Sequence, residues 1–562
     1  MVRLFERHRK RTIFSLDGLW NFKIDPDKKG LKEKWFESFP KDAASMIVPS
    51  CWNNELGLYE YEGLAWYCTK FNSSKDNINL VFNGVTGFSE VYLDGVQLGG
   101  HYGGFTDFDF LVKNISPGEH MLVVSADNTH NNTDTIPLSD VDWYHYGGII
   151  RSVEVMELEK TWIKDYKIDY TFNNDMKNVE LSLNMLLDSL DSNTYSDTLV
   201  IYLNSKEIYN SSIDIKSETN IKLDPITVND IKLWDIYSPN LYSIKFELNG
   251  DDITDRIGFR KIEIKDKKLL LNNKEVYVKG INRHEDHPDW GFAFPLKLMK
   301  KDIDIIKDMG CNAVRGSHYP NSKAFLDYLD QEGLLFWEEI PMWGFPEEVL
   351  KNKLVLERGL KMHEVMVKSD YHHPCIIIWS LHNEIATSTT AAFDISKAFV
   401  DKIRSLDTTR LISYASSHPF EDICFSLVDI ISVNKYYGWY HDEIKDWDKF
   451  LIDFKDKLQK DNLDHLPIMI TEFGAAAIYG DSTFEGPKWT ENYQERLIEH
   501  TLNLFYKEPD IIGCYIWQFC DIRTSKEHAL GRARSFNNKG ILNEYRKPKL
   551  AYWTVKRIYI NQ

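Results

Sequence analysis

Ile376-Ile377-Ile378-Trp379-Ser380-Leu381-His382-Asn383-Glu384 opens as an unbroken apolar run and closes in polar groups. A run without alternation suits a strand buried on both faces, as in a parallel sheet. Working outward from Ile376–Ser380, seven more short strands can be read: Val276–Gly280, Ala313–Gly316, Leu334–Trp337, Leu411–Tyr414, Ile430–Val433, Ile468–Thr471 and Gly513–Trp517. Amphipathic helical stretches separate them, such as Leu298-Met299-Lys300-Lys301-Asp302-Ile303-Asp304-Ile305-Ile306. Eight strand-then-helix units in about 300 residues predict a closed (β/α)8 TIM barrel over residues 261–562. A doubly wound open sheet is the alternative, but no glycine-rich phosphate loop accompanies it.

Upstream the texture differs. Ile78–Phe82, Ser89–Leu93 and His120–Ser125 are short β-rich segments divided by turn signals such as Asp94-Gly95 and Ser116-Pro117-Gly118. They predict a jelly-roll-like sandwich over residues 1–160. Val179–Met185 and Leu241–Leu248 alternate with period two, which predicts an immunoglobulin-like sandwich over 161–260 with a scaffold role.

The net charge of −18 disfavours nucleic acid and anionic lipid as partners. The basic stretch Arg7–Arg11 is too short to change that and reads as a solvated arm. No apolar stretch approaches the roughly 20 residues of a membrane span. No signal-like apolar segment follows the basic start. Seven scattered cysteines, without zinc-type spacing, point to a reducing, cytoplasmic setting.

In a TIM barrel the reacting groups project from the C-terminal strand ends. Those ends read Asn282-Arg283-His284-Glu285-Asp286-His287, Arg315-Gly316-Ser317-His318-Tyr319, Glu338-Glu339, His382-Asn383-Glu384, Asn434-Lys435-Tyr436-Tyr437-Gly438-Trp439-Tyr440, Glu472 and Trp517-Gln518. One polar strand end is ordinary; seven of eight indicate a functional cluster. Glu384 and Glu472 follow the fourth and seventh strands, on opposite sides of the barrel mouth. A lone glutamate there is more often half of a salt bridge. A facing pair suits glycoside cleavage, in which one carboxyl protonates the leaving oxygen and the other attacks the anomeric carbon. His284 and His287 have a possible ligand spacing, and His372-His373 adds two more. No first shell can be assembled from them, so no metal and no cofactor is expected. His284 reads as a hydrogen-bonding wall residue, His372-His373 as a helix end before Pro374. The lack of a Gly-x-Ser-x-Gly elbow argues against a serine hydrolase.

These residues resemble glycoside hydrolase family 2, and within it the β-glucuronidases, over nearly the whole chain. Trp379–Glu384 is similar to the family's acid/base segment and Ile470-Thr471-Glu472-Phe473-Gly474 to its nucleophile segment. Both are silent about the sugar. Asn537-Asn538-Lys539-Gly540 resembles the Asn-x-Lys-Gly element that holds a uronate carboxylate, a role suited to an ammonium and an amide donor. Without the resemblance it reads as a surface turn. The resemblance implies a retaining exo-β-glucuronidase. Glu472 would be its nucleophile and Glu384 its acid/base, with carboxyls about 5–5.5 Å apart. It further implies substrate contacts from Asn434, Tyr436 and Tyr440. Asp142 would reach a sugar hydroxyl from the first domain, Asn383 would bind the 2-hydroxyl, and His318 and Trp517 would line the pocket. The pocket arginine falls at Arg532 or Arg534, with Arg534 preferred. The short stretch between Trp343 and Leu356 implies a wide mouth, open to a glucuronide small molecule or an oligosaccharide. A homo-oligomer is implied as well. The β-galactosidase-type magnesium site is not evident. The rivals are a β-galacturonidase or β-galactosidase of the same family, a transglycosylase with the same residues, and a non-catalytic carbohydrate-binding protein.

Overall fold

The computed structural model describes residues 3–191 and 193–561. Three bodies follow one another. The first is an antiparallel sandwich. Its six-stranded sheet runs Ala44–Val48, Gly18–Ile24, Leu64–Ser73, Gly118–Asp127, Phe88–Leu93, Val96–Tyr102. A four-stranded sheet of Thr12–Ser15, Val153–Glu157, Asn77–Phe82 and Phe108–Lys113 packs on it. Trp20, Phe22, Trp52, Tyr67, Leu80 and Val124 fill the space between them. The second body is a smaller sandwich. Thr161–Phe172 and Val179–Ser189 lead one of its sheets; Tyr195–Leu203 and Tyr242–Glu247 are the centre of the other. Its core is aliphatic, with Leu181, Leu183, Leu187, Leu199, Ile201 and Phe246 supplied by alternate positions of facing strands.

The third body is a closed eight-stranded parallel barrel. Its strands are β1 (Val278–Arg283), β2 (Ala313–Gly316), β3 (Leu335–Glu339), β4 (Ile376–Asn383), β5 (Leu411–Ser416), β6 (Ile431–Asn434), β7 (Ile468–Glu472) and β8 (Ile511–Ile516). All eight segments read from the sequence are strands, shifted by a few residues at most. β4 is buried along its whole length, which is why it reads as a continuous apolar run. The helices start on side-chain caps. Ser322 accepts from the Phe325 N–H, Thr389 from Ala392 and Thr490 from Tyr493, each meeting one otherwise orphaned donor.

Charged side chains tie the bodies together. Arg151 of the first sandwich donates to Glu285 (3.1 Å) and to the Pro320 carbonyl (2.9 Å) of the barrel. Arg260, at the end of the second sandwich, donates to the carbonyls of Pro374 (3.0 Å) and Ile376 (2.6 Å), at the foot of β4. Arg410 donates to the same Ile376 carbonyl at 3.1 Å.

The basic N-terminal arm is only partly solvated, unlike its reading from sequence: Arg9 and Lys10 are exposed, but Arg11 is not. Arg11 is buried against Asp251 at 2.6 Å, and Lys10 pairs with Glu247 at 2.7 Å. Arg3 bonds Asp327 at 2.7 and 2.8 Å, beside the His373–Asp330 pair (2.6 Å). The arm is a strap across the second sandwich and the barrel. Its anions lie hundreds of residues away, so a local reading finds no partner for the charge. Among the described residues, no helix is long and apolar enough to cross a membrane.

Candidate active site

The strand ends converge on a cleft of ≈ 450 Å³ lined by Glu384, Glu472, Asn434, Lys435, Tyr436, Tyr440, Trp517, Lys539 and, from the first sandwich, Asp142. A second cavity, between the first sandwich and the barrel, has ≈ 230 Å³ and contains neither glutamate.

Arg315, at the end of β2 and fully buried, organises the floor. Its guanidinium donates to Glu472 (2.9 Å), to Asn282 (3.1 Å), to Glu339 (2.9 Å) and to Asn383 (2.7 Å). Glu339 also accepts from the Trp337 indole (2.8 Å) and meets His318 Nδ1 at 2.5 Å. Burial pushes the Glu339 carboxyl up, but Arg315 and His318 outweigh it and hold it at about 2. Glu339 is thus a fixed anion that balances the guanidinium while Arg315 grips Glu472.

Glu472 accepts a second bond from the Tyr436 hydroxyl at 2.7 Å. Glu384 accepts from the Asn434 amide at 2.8 Å, and that amide is itself oriented by the Thr471 hydroxyl (2.8 Å). Glu384 has a left-handed backbone, φ 53°, pinned by its N–H to the Ala415 carbonyl at 2.9 Å. A non-glycine residue held there costs on the order of 1–2 kcal/mol and marks a position imposed by the site. Burial pushes both carboxyls above the usual carboxylate range, Glu472 to about 8, where the Glu384 charge adds to the rise and Arg315 and Tyr436 oppose it; at Glu384 the Asn434 amide and Arg315 oppose it. Arg315 and Tyr436 both aim donors at Glu472 and favour its ionised form, while burial and the Glu384 charge oppose it.

The opposite wall is built from loops. Asp142 receives both Arg532 bonds at 2.9 Å and the Asn537 amide at 2.6 Å. Lys539, 1% exposed, donates to the Tyr440 hydroxyl at 2.6 Å and lies over the Tyr440 and Tyr436 rings, 4.8 and 5.6 Å from their centroids. No carboxylate pairs with it among the described residues. Trp517 lines the cleft, with the His318 ring stacked on it at 5.2 Å. Asn383 offers its carbonyl to Arg315 and Asn434, and its amide nitrogen is buried with no protein partner.

Arg534 is the residue that the structure does not bring in. It lies half-exposed outside the cleft, paired with Glu544 at 2.9 Å, while Arg532 lines the wall. Positive φ at Arg534 and Ser535 turns the chain outward after Arg532. Among the possible metal ligands, His373 pairs with Asp330, His372 accepts from the Ile168 N–H (3.1 Å), and His284 meets the Tyr319 hydroxyl (3.3 Å). Sequence reasoning gave no role to Arg315, Glu339, Lys435, Trp343 or His441. The first three stand at strand ends it had quoted, which was the signal available.

Residues 262–562 match the model of the glycosyl hydrolases family 2 TIM barrel domain, and residues 161–260 match that of glycosyl hydrolases family 2. The chain belongs to glycosyl hydrolases family 2. It is a glycoside hydrolase, with the two glutamates on the floor of its cleft. This family 2 hydrolase is 27% identical to a β-glucuronidase of Streptococcus agalactiae, across 96% of its own length and 95% of that protein. The β-galacturonidase of Eisenbergiella tayi, solved with galacturonate bound, superposes with a TM-score of 0.93 at 34% identity, covering 100% of this chain and 99% of that one. The β-glucuronidase of Ruminococcus gnavus in complex with D-glucuronic acid gives a TM-score of 0.86 at 27% identity, covering 100% and 99%.

Proposed function

We propose that this hydrolase is a retaining exo-β-glucuronidase that releases terminal β-D-glucuronic acid by double displacement. The observation that carries the sugar assignment is Lys539. A buried ammonium with only a phenol for a partner is costly unless an anion completes the site. A uronate carboxylate is such an anion, and neutral galactosides lack it. Arg532 lines the same cleft, where it and the Asn537 amide are bonded to Asp142.

In the first step Glu472 attacks the anomeric carbon and the C–O bond to the leaving group breaks. The Glu384 proton passes to the departing oxygen. In the second step Glu384 takes a proton from water, whose oxygen displaces Glu472 and restores the starting configuration. Burial of the seven cysteines as free thiols supports a reducing, cytoplasmic setting.

The similarity to the Eisenbergiella tayi enzyme favours a second reading, β-galacturonide hydrolysis, which the same Lys539 contact would serve. The deciding assay is release of 4-nitrophenol from its β-glucuronide, β-galacturonide and β-galactoside. Turnover of the glucuronide above the other two is expected. Preference for the galacturonide would move the assignment to the 4-epimer, and preference for the galactoside would overturn the carboxylate contact. Proton NMR of the first-formed anomer reads the stereochemistry; an α product would refute retention. Product analysis with an added acceptor alcohol separates hydrolysis from transglycosylation.

A further inference from the structure

The cleft has two ends, and only one is taken up by the sugar. Lys539, Arg532 and Asp142 form the uronate end. Glu384 protonates the glycosidic oxygen, so whatever is bonded to that oxygen lies beyond Glu384, on the side of β5. Lys435, Ser417 and His441 line the cleft there. The backbone fixes this arrangement. The Glu384 N–H is bonded to Ala415 on β5, and Lys435 follows Asn434, the residue that holds the Glu384 carboxyl.

Lys435 is half-buried, and its ammonium donates to the Ser417 carbonyl at 2.6 Å. No carboxylate forms an ion pair with it among the described residues. Glu384 and the exposed Glu421 act on it only through space. Burial lowers its pKa, and those two carboxyls work in the opposite direction. One donor of the ammonium is used on a carbonyl, and the group faces the space that the leaving group must cross. His418, next to Ser417, and His441 stand exposed on the same side. Lys435 is thus a cation within the cleft of a chain whose net charge is −18.

We propose that Lys435 is a specificity-determining residue for the leaving group, and that the hydrolase selects uronides whose aglycone carries an anionic group, a carboxylate or a sulfate, within reach of its ammonium. The proposal rests on the glycosidase reading, in which Glu384 faces the leaving group, and not on which uronate fills the sugar end. An acidic oligosaccharide, whose next sugar carries its charge on the ring, meets this requirement. So does a small aromatic acid.

The test compares matched substrates: the β-glucuronides of 4-hydroxybenzoate and 4-hydroxybenzamide, and the β-galacturonides of the same phenols. Within each series the two share size and shape and differ in the charge of the leaving group. The wild-type enzyme should turn over the benzoate with the higher kcat/KM, mainly through a lower KM, and the preference should shrink as salt rises. Lys435→Met should lower kcat/KM for the benzoate by about ten- to a hundredfold, the worth of a charge-assisted bond, and for the benzamide by about threefold or less. Lys435→Arg should retain the preference. Equal losses on both substrates would assign Lys435 a structural role and overturn the proposal, as would a wild-type enzyme indifferent to the charge. The benzoate-to-benzamide ratio is read in whichever uronide series is hydrolysed. A failure of the glucuronide assignment thus appears as a change of series, and a failure of this inference as a flat ratio.

Discussion

The floor of the cleft and its uronate wall are built on different plans. On the floor, Arg315, Asn434 and Glu472 stand on the ends of barrel strands, and Glu384 directly follows one. Each is fixed by bonds to buried or half-buried neighbours. On the wall, Asp142 comes from the first sandwich, and Arg532, Asn537 and Lys539 from the segments that follow β8. The groups that make and break bonds are thus placed by the most rigid part of the fold, where small displacements matter most. The groups that identify the sugar sit on connections that can vary without disturbing the barrel.

The comparison is sharpest at the nucleophile. Glu472→Gln should lower kcat on any substrate by at least about a thousandfold, as loss of a covalent catalytic group does. Calorimetric binding of glucuronate should survive. Retention of turnover would sever the floor from the chemistry. Glu384→Ala should cost about 10²–10⁴-fold on alkyl glucuronides. It should cost less with 4-nitrophenol, which leaves with little protonation. Equal losses with both would mean that Glu384 is not the proton donor.

At the wall, Lys539→Ala should lower kcat/KM for the uronide by about ten- to a hundredfold, while any trace galactoside turnover changes little. Uniform losses would show a wall that supports the floor instead of reading the sugar. Within the wall, Arg532→Ala should cost about tenfold through the loss of its two hydrogen bonds to Asp142. Arg534→Ala should leave kcat/KM within about twofold, since it stands outside the cleft, and cost about 1–3 kcal/mol of stability by leaving the buried Glu544 carboxylate unpaired. The reverse ranking would restore Arg534 to the pocket.

The floor also has a pH signature. Glu339 is held at about 2 in the folded protein, below its ordinary value near 4.5. Its contribution to stability is therefore full above pH 4.5 and is lost as pH falls towards 2. The difference in Tm between wild type and Glu339→Gln should be largest near neutral pH and should narrow below pH 4.5. A constant gap would mean that the cluster is held by shape and not by charge.

The same contrast explains what could be read from sequence. Barrel strands are continuous apolar runs, so β1 to β8 and the carboxylates at the ends of β4 and β7 stand out in one dimension. Arg315 stood in the strand-end pattern but carried no sign of its role. Its partners Glu339, Asn383 and Glu472 become neighbours only when the barrel closes. Arg532 and Arg534 are two residues apart, and the choice between them depends on positive φ values that neither an arginine nor a serine announces. The N-terminal arm misled for the opposite reason: five residues rich in positive charge look solvated until Asp251 and Glu247 arrive from the second sandwich.

Arg260 gives that second sandwich a mechanical meaning. Its guanidinium grips the carbonyls of Pro374 and Ile376 at one end of β4, and the proton donor hangs from the other. The strand behaves as a lever whose fulcrum is clamped by a neighbouring body. The second sandwich thereby helps to hold the strand that carries the acid/base. Trimming or exchanging it would detune a reaction more than the length of the strand away. A library confined to cleft residues would not sample the screw that sets the lever.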